Sequence, residues 1–269
     1  MNSLSLSIRS ILFITAWLLT VVSVTAVAQK LPVKQEGSMR APANVKIDGK
    51  ATEWTFKAYN LATDVFYAMA HDDNNIYLVI KSADESSVRK IVSSGLTFIV
   101  NNIGKKNDTT GAKVTYPLFN YKNKPYINFL VKSAPADSAD YITTANNKQF
   151  NSIGKFVRVR GIKDVDTLLS IYNTDGISVA SSFDKEANYT YELAISRKHI
   201  TPYINPNGAF FYKVIVNALQ FDDLPGVSIT RDPSGTITAI MVNKSNSRPN
   251  LNPAMNVETD FSGEYTLTR

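Results

Sequence analysis

From Val45 to its end the chain is written in short apolar runs, and that rhythm excludes most folds. β-branched and aromatic residues come in runs of five to eight, broken by Gly, Asn, Asp and Pro. Such spacing belongs to sheet-built domains, in which each strand is short and turn residues punctuate it. Val65–His71 sends Val65, Tyr67 and Met69 to one face and Phe66, Ala68 and Ala70 to the other. Ile76–Lys81, Leu96–Val100 and Phe210–Leu219 are apolar on both faces, which predicts strands in the middle of the structure with both sides covered. Tyr189–Ile195 places Tyr189, Tyr191, Leu193 and Ile195 on one face and Thr190, Glu192 and Ala194 on the other, the pattern of a half-buried strand. Phe261–Thr268 reads as the closing strand.

The predicted fold is therefore all-β: an antiparallel β-sandwich, jelly-roll-like, with one or two short helices. The first helix follows Asp84, a good N-cap, with Val88, Ile91 and Val92 at helical spacing before Gly95 ends the run. A second helical turn is expected over Arg197–Tyr203, stopped by Pro202 or Pro206. Ala134–Ser152 and Asp222–Asn256 are long polar segments and read as insertions between strands.

Residues 1–28 have the layout of a secretory signal: Arg9, then the apolar run Ile11–Val24, then Ala26-Val27-Ala28 as a small-x-small cleavage motif before Gln29. The rival reading is a retained anchor, since Ile11–Ala28 approaches the ~20 residues that span a bilayer. Cleavage is the reading adopted, with no stable membrane span afterwards and an exported, periplasmic or extracellular destination. Residues 29–43, bearing Pro, Gln and Gly without apolar periodicity, read as an exposed leader. Residues 44–269 then form one β-sandwich domain.

The chain contains no cysteine, so an exported form is held together by its core alone. Loss of residues 1–28 removes Arg9 and no acid, taking the formal charge from +6 to +5. The densest basic group, Lys105-Lys106 with Lys113, is too thin for a nucleic-acid footprint and reads as solvated surface. Catalytic motifs are missing as well. His71 and His199 lack metal-binding spacing, and there is no Gly-x-Ser-x-Gly elbow, phosphate loop or dinucleotide fingerprint. The expectation is a protein that binds rather than one that catalyses.

Two segments carry a family likeness. Val45–Asp84 opens with a short strand and an Asp48-Gly49 turn, continues through Glu53-Trp54, and ends in two apolar strands flanking Asp72-Asp73-Asn74-Asn75. Gly176–Ser196, GISVASSFDKEANYTYELAIS, is a strand pair near the far end. Together they resemble the opening and closing segments of family 9 carbohydrate-binding modules and their DOMON-like relatives, with Ser196 where Pro is usual. The resemblance implies a non-catalytic sandwich whose ligand is an oligosaccharide or polysaccharide. The alternative is the same fold recognising a cell-envelope protein partner, without sugar affinity. Family 9 modules that grip sugar ends use a pair of tryptophans, and without the signal this chain keeps only Trp54.

Sugar binding needs flat apolar rings for stacking and polar groups for the hydroxyls. Tyr116, Tyr121 and Tyr126, clustered in VTYPLFNYKNKPYINF, are the carbohydrate-binding candidates; the alternative is that they pack the sandwich edge, as tyrosine often does. Glu192, mid-strand and opposite Tyr191, faces either solvent or a ligand's hydroxyls. Lys213 and Asn217 share a strand face around Ile215 and pose the same choice. Trp54 reads as a structural plug at the sandwich end. No cofactor is expected. Asp72–Asn75 offers oxygen ligands of the kind calcium prefers, but the same residues form hairpin loops on their own.

Overall fold

The computed structural model describes residues 30–104, 110–119, 123–219, 227–234, 236–242 and 253–268. The signal-like segment and its cleavage point lie outside them, as do Lys105, Lys106 and Tyr121. One compact unit covers Pro32–Arg269. It is the expected antiparallel sandwich. The first sheet has the order β1-β2-β3-β9-β8, and the second β13-β10-β4-β5-β6-β7. In the first are β1 (Ala58–Asn60), β2 (Val65–His71), β3 (Asn75–Ser82), β8 (Ile177–Phe183) and β9 (Tyr189–Ser196). In the second are β4 (Leu96–Asn101), β5 (Ala112–Tyr116), β6 (Phe156–Arg160), β7 (Leu168–Ser170), β10 (Ala209–Val216) and β13 (Thr259–Thr266). A separate hairpin pairs β11 (Val227–Arg231) with β12 (Ile237–Val242).

Alternation does the sorting. Tyr67, Met69, Leu78, Ile80, Tyr191 and Leu193 of the first sheet meet Phe98, Val114, Val157, Tyr212 and Val214 of the second in one core. The first helix, α1 (Glu85–Ser94), forms as read: the Asp84 side chain accepts the Ser87 N–H at 2.7 Å, and Gly95 ends the helix at φ +82°. The Arg197–Tyr203 turn also forms, as α3 (Arg197–Ile200) and a following 3-10 turn.

The segment read as a polar insertion after Ala134 is instead an 18-residue helix, α2 (Ala136–Ile153). It was hidden because its inner face is only partly apolar. Ala139, Asn146 and Phe150 are the buried residues, and Asn146 replaces hydrophobic contact with two hydrogen bonds to the Asn128 backbone, at 2.9 and 3.0 Å. The second insertion contributes the β11–β12 hairpin and a 3-10 turn at Pro253–Asn256. Among the described residues no helix is long and apolar enough to cross a membrane.

Most described residues of the leader are exposed, but the leader is tied to the first sheet. The Gln35 side chain accepts the Met69 N–H at 2.7 Å and donates to the Met69 carbonyl at 2.9 Å. Its amide thus takes the place of a strand residue beyond the end of the short β1, closing the edge of β2. Two residues further along β2, Met39 and Ala41 hydrogen-bond the backbone of His71. Gln35→Ala should leave the buried Met69 N–H without a partner and its carbonyl with only the long Tyr265 hydroxyl contact of 3.5 Å, lowering stability by about 2 kcal/mol. Urea unfolding measures it; an unchanged midpoint would mean the leader is dispensable.

Beyond the leader, Val45 and Ile47 form no strand. With Met39, Ala41, Ala51, Phe56 and Trp54 they lie on the outer face of the first sheet, over Ala68, Ala70, Tyr77, Val79 and Ala194. This second small core is why β9 is buried on both faces rather than half-buried. It also relocates Trp54, which covers a sheet face instead of plugging an end.

Candidate functional site

Among the described residues the outer face of the second sheet has no such cover, and a groove of about 700 Å³ lies there. Strands β4 and β10, read as covered on both sides, are covered on one. Their outward Ile99 and Ile215 are only partly buried and line the groove. Strand register lays residues across it in two rows. One runs Ile215, Thr97, Thr115, Arg158, Leu168 over β10-β4-β5-β6-β7. The other runs Lys213, Ile99, Lys113, Arg160.

The floor is a directed hydrogen-bond chain. Asn217 Nδ2 donates to the Ser94 carbonyl at 3.0 Å, which fixes Oδ1 as the atom facing Thr97. Thr97 Oγ1 must then donate to that oxygen, at 3.0 Å. The Thr97–Thr115 contact of 2.9 Å therefore takes its proton from Thr115. Thr115 Oγ1 is left with unused lone pairs, an acceptor for a hydroxyl donor in the groove. Apolar surface flanks this floor: Phe156 is 49% and Leu168 54% exposed, and both line the groove.

The electrostatics are one-sided near β5 and β6. Lys113 is paired directly with Arg160, and Arg158 lies two residues along the same strand. Among the described residues no carboxylate lies within ion-pair distance of these three. Glu258, the carboxylate among the described lining residues, immediately precedes β13. Three strand spacings separate β13 from β5, roughly 14 Å.

The sequence-predicted residues are dispersed. Tyr116 is a core residue, 1% exposed, whose hydroxyl donates to the Gly154 carbonyl and whose ring packs edge-on to Phe150. With no face open, it cannot stack a sugar in this fold. Tyr126 is 71% exposed and borders a neighbouring hollow with Arg89, Pro125 and Met255. Lys213 is on the groove's sheet but forms an ion pair with Asp260 at 3.1 Å. Asn217 is in the groove, where it ties the floor to the C-terminus of α1.

Glu192 is on the opposite sheet, fully buried, and faces neither solvent nor the groove. Its Oε2 accepts the backbone N–H groups of Asp48 and Gly49 at 2.9 and 2.7 Å, and its Oε1 accepts the Trp54 indole N–H at 2.7 Å. Burial pushes its carboxyl up to about 7, against the pull of those three donors. Glu192 thus clamps the Asp48–Trp54 segment onto the sheet. Gly49 is required there, because a Cβ would meet the Ser181 backbone at 2.6 Å.

In the Asp72–Asn75 loop, Asp72 Oδ1 accepts the Asn74 and Asn75 N–H groups and Oδ2 the Tyr77 hydroxyl. These are hairpin bonds, the loop-forming reading of that segment. Among the described residues no cluster of three metal-ligating side chains occurs.

Sequence reasoning missed Thr97, Thr115, Phe156, Arg158 and Arg160. The signal was the alternation of Phe156–Arg160, FVRVR, which puts Phe156, Arg158 and Arg160 on one face. Compared with family models and with curated proteins, the sequence matches none of them.

Proposed function

We propose that this protein is an exported, non-catalytic carbohydrate-binding β-sandwich of the family 9-like type, and that glycan binds in the groove on the outer face of the second sheet. The observation that carries the reading is the lining. A sugar presents hydroxyls at its rim and apolar C–H faces, and the groove offers an oriented acceptor, Thr115, with exposed apolar side chains, Phe156 and Leu168, on the neighbouring strands. A glycosidase would need two carboxylates across a sugar, whereas the described lining residues include one, Glu258. The binding surface proposed here therefore replaces Tyr116 and Glu192 with Phe156 and Thr115 and retains Asn217 as a positioning residue.

Stacking one sugar face on Phe156 contributes about 1–2 kcal/mol, so affinity should lie roughly between micromolar and millimolar. Calorimetry against a panel of neutral and acidic oligosaccharides tests the reading. Phe156→Ala should weaken binding about tenfold with little change in melting temperature, and Thr115→Val about fivefold with no more than the loss of about 1 kcal/mol expected for its bond to Thr97. No binding to any glycan at millimolar concentration, with the fold intact, would remove the sugar reading. The second reading, an envelope-protein interaction module, draws on the β11–β12 hairpin, where Ile237, Ile240 and Met241 are all exposed.

A further inference from the structure

We infer that the groove selects an acidic glycan, its sugar-borne anionic groups held by Lys113, Arg158 and Arg160; the inference rests on the glycan-binding reading above. A Lys placed directly across two strands from an Arg repels it, and this arrangement destabilises a sheet unless a counter-charge is near. Here the Lys113–Arg160 pair and its neighbour Arg158 have none among the described residues. Elsewhere Arg40 is matched with Asp73, Arg89 with Glu85, Lys185 with Asp140, and Lys213, in the same row, with Asp260. What distinguishes Lys113, Arg158 and Arg160 is that all three converge on one stretch of the groove.

Their neighbours identify the ligand as a sugar rather than a bare anion. Arg158 is paired with Thr115 on one side and with Leu168 on the other. Phe156 lies two residues before Arg158 on the same strand face. An anion held by the guanidinium groups would thus have a hydroxyl acceptor and two apolar surfaces beside it. Guanidinium forks bind planar carboxylates with two parallel hydrogen bonds, and they also bind sulfate, so the shared chemistry is an anionic substituent on a pyranose chain. Glu258, roughly three strand spacings away, leaves the cationic stretch unneutralised while repelling anions from the far end. That polarity fixes where along the groove the charged sugars rest.

The test compares oligogalacturonate with its methyl ester, the same sugar without charge, alongside a sulfated galactan oligosaccharide and polyglutamate. Calorimetry on the purified protein should show the acidic sugars binding at least about tenfold tighter than the ester, with the preference shrinking in about 0.5 M salt. The stronger of the two acidic sugars identifies carboxylate or sulfate as the source. Arg158→Gln and Arg160→Gln should each cost about tenfold on the acidic sugar and little on the ester. Both side chains are exposed, so the melting temperature should hold; Lys113→Gln gives an independent third variant. Equal binding of ester and acid, insensitive to all three variants, would overturn the inference and leave the glycan reading standing. Polyglutamate binding as tightly as the acidic sugars would also overturn it, and no binding to any sugar would remove both.

Discussion

Trp54→Ala is expected to lower the unfolding free energy by about 3–5 kcal/mol, the range for a large aromatic taken from a packed site. The ring is 7% exposed and packs against Tyr77 with centroids 5.7 Å apart. Its N–H also serves Glu192. Trp54→Phe separates the two contributions. It keeps most of the apolar contact and loses the hydrogen bond to Glu192, a change of about 1–3 kcal/mol that is larger where the carboxyl is ionised. Urea unfolding of both variants decides it. Trp54 is on the sheet opposite the groove, so ligand affinity should be unchanged wherever the variant is folded. A loss under ~1 kcal/mol together with lost binding would make Trp54 a ligand contact instead.

Strand identity was legible because its signal is local. Val65–His71 and Tyr189–Ile195 sort their residues onto two faces by alternation, and the structure places Tyr67 and Tyr191 in the shared core. The capped start of α1 at Asp84 and its end at Gly95 were legible for the same reason. Coverage of the outer faces was not. Ile99 and Ile215 look like residues of a doubly covered sheet, yet they open onto a groove. Thr190 and Glu192 look solvated, yet both are buried, Glu192 beneath the Asp48–Trp54 segment. Whether a strand's second face meets water depends on a segment more than a hundred residues away in sequence, for which periodicity carries no information. Helix α2 was lost for a different reason, since a buried Asn146 satisfied by backbone hydrogen bonds breaks the apolar stripe.

The candidate site was harder still, because a site is a cross-strand arrangement. Thr97 and Thr115 are ordinary strand threonines until register sets them opposite one another. Lys113 reads as part of a thin basic cluster with Lys105 and Lys106. Its neighbours that matter are Arg158 and Arg160, brought beside it by β5–β6 pairing. Register also separates what composition had grouped: Tyr116 turns inward while Thr115, one residue earlier, turns out. The two sheets therefore divide the work. The first is sealed by a strap and a buried carboxylate, and the second, among the described residues, carries a groove on its outer face.

That buried carboxylate gives the stability a pH dependence whose sign can be stated. Glu192 titrates at about 7 in the folded protein against 4.5 as the ordinary value. Between those two pH values the folded state holds a proton that the unfolded chain has released, so stability falls as pH rises through the window. The contribution is complete below about pH 4.5 and lost above about 7, a change of about 3 kcal/mol. Glu192→Gln removes the titration but cannot keep the bonds. Whichever position its NH₂ occupies, a donor then faces either the Trp54 indole or the two backbone N–H groups of Asp48 and Gly49. The variant should be less stable by about 2–4 kcal/mol at pH 5. By pH 8 the wild type has lost its own proton-linked stability and the gap should narrow. Urea unfolding of the pair at both pH values reads the difference, in which the titration of all other groups cancels. A gap that is the same at pH 5 and pH 8 would show that Glu192 keeps one charge state throughout. The clamp on Trp54 would then be an ionised carboxylate sustained by its three donors.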